Sequence, residues 1–391
     1  MKILYDHQIF SLQRYGGISR YFCEMMARFS KDTSIDYSVA LRFSQNEHLL
    51  SLPQLNPYWS HKSILHAHTH VVSAVKTAAQ YESFRFILTN ALSYVNQQES
   101  EQLIKKQDFD LVHPTYYNPY FLRFLQKKPY VITVYDMIHE IFPDHFPLKD
   151  PISSWKKQVL ENADAIISIS ESTKADIIRL FHIDPERIAV IHLGNPLEET
   201  TDAAPCKDPD PVLTEKPYIL FVGNRIGYKN FDFFIKAAAE ILHKNRALQV
   251  YCAGGGPFTP QENEVLKNLQ ILPRVHYVMP NDLLMKNLYT NARAFVFPSL
   301  YEGFGLPVLE AFSSGCPVMA SNSSSLPEIG GDAAIYFDPS DAASFTNAMD
   351  RLLSDDNLRM QLIIKGHDRL KQFSWEKTAG ETKRVYEKVD E

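Results

Sequence analysis

Residues 302–310 read Glu-Gly-Phe-Gly-Leu-Pro-Val-Leu-Glu, two carboxylates framing a glycine turn. The preceding Ala-Phe-Val-Phe-Pro-Ser (294–299) is a short apolar run with strand character. Pro307 falls where a first helical position would, and Gly315 where that helix would stop. The local expectation is strand, glycine loop and short helix, with Glu302 at the loop mouth and Glu310 on the second helical turn between Leu309 and Ala311. A carboxylate in so apolar a setting needs hydrogen-bond donors, and ligand hydroxyls would supply them. The amides of Gly303, Phe304, Gly305 and Leu306, at a helix start, suit a phosphate. Hydroxyls and phosphate on one ligand describe a nucleotide sugar.

Two other loops carry groups that fit such a ligand. In 218–230, Tyr-Ile-Leu-Phe-Val-Gly-Asn-Arg-Ile-Gly-Tyr-Lys-Asn, Arg225 and Lys229 follow an apolar strand and precede a helix. Two cations on a strand-to-helix loop either suit a diphosphate, at about 1.5–3 kcal/mol for each charge-assisted hydrogen bond, or are ordinary basic residues of a solvated loop. In Gln-Arg-Tyr-Gly-Gly-Ile-Ser-Arg-Tyr (13–21), Gly16 and Gly17 allow backbone to approach a ligand before a helix start, or mark a simple turn. No Asp, His or Cys cluster has metal-ligand spacing, and no Asp-x-Asp is found to hold a divalent ion on a diphosphate. The expectation is a reaction without metal or other cofactor, the cations and amides supplying the positive field.

These loops need a scaffold. Short apolar strands alternate with helical patterns along the chain, which predicts an α/β fold with parallel sheets covered on both faces. Lys2–Tyr5, Leu111–His113, Tyr130–Val134 and Ala165–Ser170 read as strands in the first half, and Tyr218–Val222, Leu248–Ala253, Val275–Val278, Ala294–Phe297 and Pro317–Ala320 in the second. Phe231, Phe234, Ile235, Ala238, Ile241 and Leu242 share one helical face. A proline-rich acidic stretch from Asn195 to Pro211 is the linker candidate, so the expected division is 1–195, a linker at 196–212, and 213–373. The first domain carries a helical insert near 60–105. Ser374 caps a last amphipathic helix over 374–391 in which Trp375, Ala379, Thr382, Val385, Tyr386 and Val389 recur at helical spacing. A ligand between two doubly wound sheets would lie at the carboxyl ends of their strands.

Bulk properties narrow the classes. A chain of 391 residues predicts about two domains. The net charge, 40 − 46 = −6, argues against nucleic acid as a partner. Four scattered cysteines without a Cys-x-x-Cys pair look like reduced thiols rather than a disulfide framework or a zinc site. Met1–Tyr5 run straight into Asp6 and His7, so no signal peptide is expected, and no apolar run approaches ~20 residues. The expected location is the cytoplasm. Basic and aromatic residues mix from Tyr116 to Lys128, which suits either peripheral contact with an anionic membrane or a partly buried helix with a solvated basic end.

The run Phe-Pro-Ser-Leu-Tyr-Glu-Gly-Phe-Gly-Leu-Pro-Val-Leu-Glu-Ala (297–311) resembles the signature of the retaining glycosyltransferases of family four, with their GT-B fold: two Rossmann-like domains facing an interdomain cleft. Ser-Ile-Ser-Glu-Ser-Thr-Lys-Ala-Asp (168–176) and Ser-Leu-Pro-Glu-Ile-Gly-Gly-Asp-Ala-Ala (325–334) are also similar to family segments. The resemblance is strong from Tyr218 to Pro339 and loose over 1–195. It implies an acceptor-side first domain, a nucleotide-sugar-binding second domain, and a last helix crossing back onto the first. It makes Arg225, Lys229 and Glu302 catalytic, Glu310 the holder of the ribose hydroxyls, and Gly16, Gly17 and residues 303–306 donor-binding. The family places its arginine directly after the glycine, where this chain has Asn224. Its usual histidine at the end of a first-domain strand is replaced by Tyr135, followed by Asp136. Asp136, Tyr135, His139 and His113 are the candidates for that role. The expected function is transfer of a hexose, first of all mannose from GDP-mannose, to a saccharide acceptor carried on a lipid, in surface polysaccharide synthesis. A sugar-nucleotide epimerase and a non-catalytic two-domain sugar-binding protein are the other readings.

Overall fold

A computed structural model describes residues 1–51, 82–197, 216–279 and 282–391. Nearly all of the linker expected at 196–212, the first part of the helical insert, and Cys206 lie outside these residues. Within them, the insert is one helix from Glu82 to Lys106.

Every strand pairing among the described residues is parallel. In the first half β1 (Lys2–Tyr5), β2 (Asp36–Val39) and β3 (Leu111–His113) lie in the order β2-β1-β3. Next come β4 (Val131–Val134), β5 (Ala165–Ser168) and β6 (Ile188–Val190), in chain order. A parallel bridge between Val112 and Tyr130 joins the two sets. The second half is one six-stranded sheet of β7 (Tyr218–Val222), β8 (Gln249–Ala253), β9 (Val275–Val278), β10 (Ala294–Phe297), β11 (Val318–Ser321) and β12 (Ala334–Phe337). Its order, β12-β11-β10-β7-β8-β9, reverses direction between β7 and β10. Loops leaving neighbouring strands at such a reversal diverge to opposite faces and open a crevice at the strands' carboxyl ends. Strands β4, β8, β10 and β11 are buried throughout, as parallel sheets covered on both faces require.

Three strands were not expected from the sequence: β2, β6 and β12. Asp-Tyr-Ser-Val (β2) is half polar, and the other two are three or four residues long. The first loop also differs from expectation. A short helix, Gln8–Leu12, stands between β1 and the helix Gly17–Phe29. In the aromatic–basic stretch, Tyr117, Tyr120, Phe121 and Leu125 are buried in the core. Lys105 lies 4.2 Å from the Phe124 ring centre. The aromatic side chains are spent on the fold, which favours the buried reading of these residues over the membrane one.

The last helix, Trp375–Asp390, starts at Ser374, whose hydroxyl accepts from the Lys377 amide at 3.2 Å. It packs on the helix Gly17–Phe29 and touches β5. Its Tyr386 hydroxyl meets the Tyr5 hydroxyl at 3.1 Å and His113 Nδ1 at 2.5 Å, and His113 Nε2 meets the Thr133 hydroxyl at 3.0 Å. His113 is fully buried, and burial pushes its pKa down to about 3, so the ring is neutral and both its nitrogens are occupied. It joins the last helix to β3 and β4. Replacing Tyr386→Phe removes both hydroxyl contacts and leaves a buried imidazole nitrogen unpaired. We expect a loss of about 1–3 kcal/mol, read as a lower urea midpoint with the donor affinity unchanged.

Candidate active site

The two loops at the reversal point supply the central pair. After β7 the chain makes a single turn, Gly227–Lys229, and Asn230 takes a left-handed conformation (φ 59°). Asn230 Nδ2 donates to Pro298 O and Pro339 O, pinning this loop to those that follow β10 and β12. Lys229 Nζ then lies 2.6 Å from Glu302 Oε1. Burial alone would lower the Lys229 pKa, but the adjacent carboxylate outweighs it and raises the pKa, so the ammonium is held charged.

The backbone around Glu302 is fixed by two serines. Glu302 N donates to Ser324 Oγ at 2.8 Å, and Ser325 Oγ donates to Glu302 O at 2.9 Å and Phe304 O at 2.8 Å. Gly305 follows at φ 115°, a conformation that favours glycine, and opens the helix Leu306–Ser313 with Pro307 in its first turn. Glu310, on that helix, accepts a hydrogen bond from the Tyr289 hydroxyl at 3.0 Å. Burial and the nearby carboxylate keep Tyr289 protonated, so it remains a donor.

The first half closes over this loop at Gly303. A methyl group there would fall 1.7 Å from the Tyr135 carbonyl oxygen and 3.0 Å from Asp136 Cβ. Asp136 therefore sits directly across from the Glu302 loop. Its Oδ1 accepts from Ile138 N at 3.0 Å, and the wholly buried Lys156 donates to Asp136 O at 2.9 Å and to Glu140 Oε2 at 2.9 Å. At the other end of the loop, a Cβ on Gly17 would touch Leu306 Cδ1 at 3.4 Å. The starts of the helices Gly17–Phe29 and Leu306–Ser313 thus abut through the Leu306 side chain. Gln13 already spends its side-chain oxygen on the Ser19 amide in the first of them.

The helix Glu171–Phe181 clamps the same loop. Ser170 Oγ and Thr173 Oγ1 donate to Gly303 O at 2.7 and 3.2 Å. Glu328 of the second half accepts the amides of Glu171 and Ser172 at 2.9 and 3.2 Å and meets His192 Nε2 at 2.7 Å. Asp176 takes the Tyr301 hydroxyl at 2.9 Å. Burial would raise the Glu328 pKa, but His192 and the two amides outweigh it and hold the carboxyl below its usual 4.5.

Among the residues singled out from the sequence, Lys229, Glu302, Gly303, Phe304, Gly305, Leu306, Gly17 and Asp136 come together in this way, with Gly16 capping the helix behind Gly17. Arg225 is directed elsewhere. Its Nε pairs with Glu262 at 2.6 Å, its Nη1 donates to Gly254 O at 2.9 Å, and its Nη2 donates to Gly256 O and Pro257 O at 2.9 and 3.1 Å. Displaced one position by Asn224, it braces the glycine loop after β8. Tyr135 turns its ring inward against Tyr21 and lends the site only its carbonyl. His139 stacks on Phe146, with centroids 3.8 Å apart. Lys156, Ser170, Thr173, Ser324, Ser325 and Glu328 were not read as site residues. For Ser170 and Glu328 a signal existed, since both lie in segments that resemble the family's. Lys156 carried none, being one of two adjacent lysines in an amphipathic helix. Among the described residues no group of three His, Cys, Asp or Glu side chains is arranged to hold a metal ion.

Two outcomes follow. Gly303→Ala forces the Tyr135 carbonyl and the loop apart, so transfer should fall by about 100-fold, the scale of a 1 Å misplacement; wild-type turnover in this variant would contradict the closed arrangement. The Glu328 carboxylate stabilises the fold fully above pH 4.5, and that contribution is lost as pH falls through its lowered folded value. Glu328→Gln should therefore lower the melting temperature at neutral pH, and the gap to wild type should shrink on acidification below 4.5.

Residues 15–199 match the model described as Glycosyltransferase Family 4, and residues 207–369 match Glycosyl transferases group 1. The O-antigen chain mannosyltransferase B of Escherichia coli is 31% identical over 299 residues, 72% of this chain and 74% of its own. A glycosyltransferase from Rickettsia africae superposes with a TM-score of 0.68 at 16% identity, over 99% of this chain and 98% of its own. Anabaena HepE, solved with UDP and glucose, gives 0.67 at 15% identity, over 99% of each chain. Two parallel-sheet α/β domains meeting at the strands' carboxyl ends are the GT-B fold, and this chain belongs to glycosyltransferase family 4.

Proposed function

We propose that this glycosyltransferase moves mannose from GDP-mannose to a lipid-carried saccharide acceptor, with retention at the anomeric carbon, in surface polysaccharide synthesis. The observation that carries the proposal is the Lys229–Glu302 pair at the reversal point, beside two abutting helix starts and closed over by Asp136. An ammonium has three donors, so Lys229 can hold Glu302 and an oxygen of the leaving diphosphate together. The amides around Gly17 and Leu306 add positive field where negative charge builds as the anomeric C–O bond breaks. Glu310, oriented by Tyr289, takes the ribose hydroxyls, and Glu302 with the amides of 304–306 orients the sugar. The acceptor oxygen bonds to the anomeric carbon on the face the diphosphate leaves, and its proton passes to the departing phosphate oxygen. Asp136, across from Gly303, faces the sugar and the acceptor from the first half. The closed cleft keeps out water that would hydrolyse the donor. Mannose and a polysaccharide acceptor are favoured by the name of the Escherichia coli relative. No helix among the described residues is long and apolar enough to cross a membrane, and we place the enzyme in the cytoplasm. Family membership leaves the epimerase and binding-protein readings without support.

Calorimetric titration without added metal tests this. GDP-mannose should bind in preference to UDP-glucose, Glu310→Ala should weaken it at least about tenfold, near 1.4 kcal/mol, and a chelator should change neither binding nor turnover. Preference for a UDP-sugar, or activity lost to the chelator and restored by Mg²⁺, would overturn the donor or the metal-independent reading respectively.

A further inference from the structure

A cavity of about 410 Å³ lies in the first half, outside the reaction centre, lined by His139, Glu140, Asp144, Phe146, Asp150 and Phe181 among others. Its wall follows directly on Asp136. Phe142 and His145 of the same segment reach the second half, Phe142 stacking on Tyr228 and His145 lying against Gly227. Phe181 ends the helix whose first residues hold Gly303 O. Eleven residues at 1.5 Å each put the far side of the pocket about 16 Å from that carbonyl.

The lining has a definite chemical character. His139 and Phe146 form a stacked aromatic wall, with Pro143 and Pro147 beside them and Leu148 exposed at the rim. Glu140, Asp144 and Asp150 contribute carboxylates, and no lysine or arginine occurs among the described lining residues. The Glu140 side chain is only 5% exposed; one of its oxygens is held by Lys156, and the other has no hydrogen-bond partner among the described residues. His139 Nδ1 is likewise buried without a partner. Buried polar atoms are nearly always satisfied, and these two neighbouring orphans lie just behind the cavity wall, closed off from solvent, so a sugar reaches them only with a shift of that wall. Burial and the nearby Lys156 lower the His139 pKa, so the ring adds no positive charge to this wall near neutrality.

We propose that this pocket is a saccharide subsite that takes a neutral or amine-bearing sugar unit of the acceptor, remote from the acceptor hydroxyl that reacts, and rejects anionic units. Carboxylates accept from sugar hydroxyls or an ammonium, the aromatic wall covers the ring's apolar face, and Asp144 and Asp150, with no lysine or arginine among the described lining residues, repel uronates and phosphates. The identity of the occupant as part of an acceptor rests on the transferase reading above; the binding itself does not.

The test is binding of mannotriose, glucosamine trimer and trigalacturonate to the full-length protein without donor, followed by NMR, in wild type, Phe146→Ala and Asp144→Lys. The first two sugars should bind and trigalacturonate should not. Phe146→Ala should weaken mannotriose at least about tenfold, and Asp144→Lys should admit trigalacturonate. GDP-mannose affinity should be unchanged in both variants, which also reports that they fold. Failure of all three sugars to bind, equal binding of trigalacturonate to wild type, or mannotriose binding indifferent to Phe146→Ala would overturn the subsite. Mannotriose binding that depends on Phe146, in a protein that ignores GDP-mannose, would retain the subsite and remove the donor assignment instead.

Discussion

Position 303 has room for a hydrogen and nothing larger, and much of the site depends on that. Without a side chain there, the Tyr135 carbonyl and the Asp136 side chain of the first half can lie against the loop that carries Glu302. The Gly303 carbonyl, turned the other way, is held by Ser170 and Thr173. One peptide unit is therefore fixed from both sides by the opposite half, while Ser324 and Ser325 fix its neighbours from its own half. Each hydrogen bond is modest alone, but a loop held at four consecutive points has little freedom to misplace a carboxylate.

Bringing two acidic loops together in a closed cleft is costly unless each carboxylate has its own cation. The chain meets this within each half. Lys229 neutralises Glu302, and the fully buried Lys156 neutralises Glu140 while bonding the Asp136 backbone. Because the compensation is internal to each half, the halves can meet without carrying uncompensated charge into the cleft. Among the contacts that do cross, Glu328 accepts from two amides and meets His192 Nε2, and Asp176 takes the Tyr301 hydroxyl.

Sequence legibility tracked locality. The glycine loop, its helix and the strand before it are specified within about twenty residues by strand, turn and cap chemistry, and they appear where the residues 294–315 predict them. The alternating pattern likewise gave parallel sheets, with short or polar strands such as β2 and β6 missed because their pattern is too brief to stand out. Side-chain direction was not legible. Arg225 and Lys229 look equivalent in the sequence, yet one braces the glycine loop after β8 and the other meets Glu302, a difference made by contacts over thirty and seventy residues away. Lys156 owes its place to partners sixteen and twenty residues away, so no local pattern pointed to it. By position His113 reads as a candidate for the family's usual histidine, and its burial beside Tyr386 makes it part of the packing.

The central claim is that the donor's diphosphate sits between the two abutting helix starts and on Lys229, with its sugar between Glu302 and Asp136. A crystal structure of the enzyme with intact GDP-mannose tests it most directly. The account predicts phosphate oxygens within hydrogen-bond reach of Lys229 Nζ and of amides near Gly17 and Leu306, and the ribose on Glu310. A nucleotide bound away from Lys229, with the mannose remote from Glu302, would contradict it.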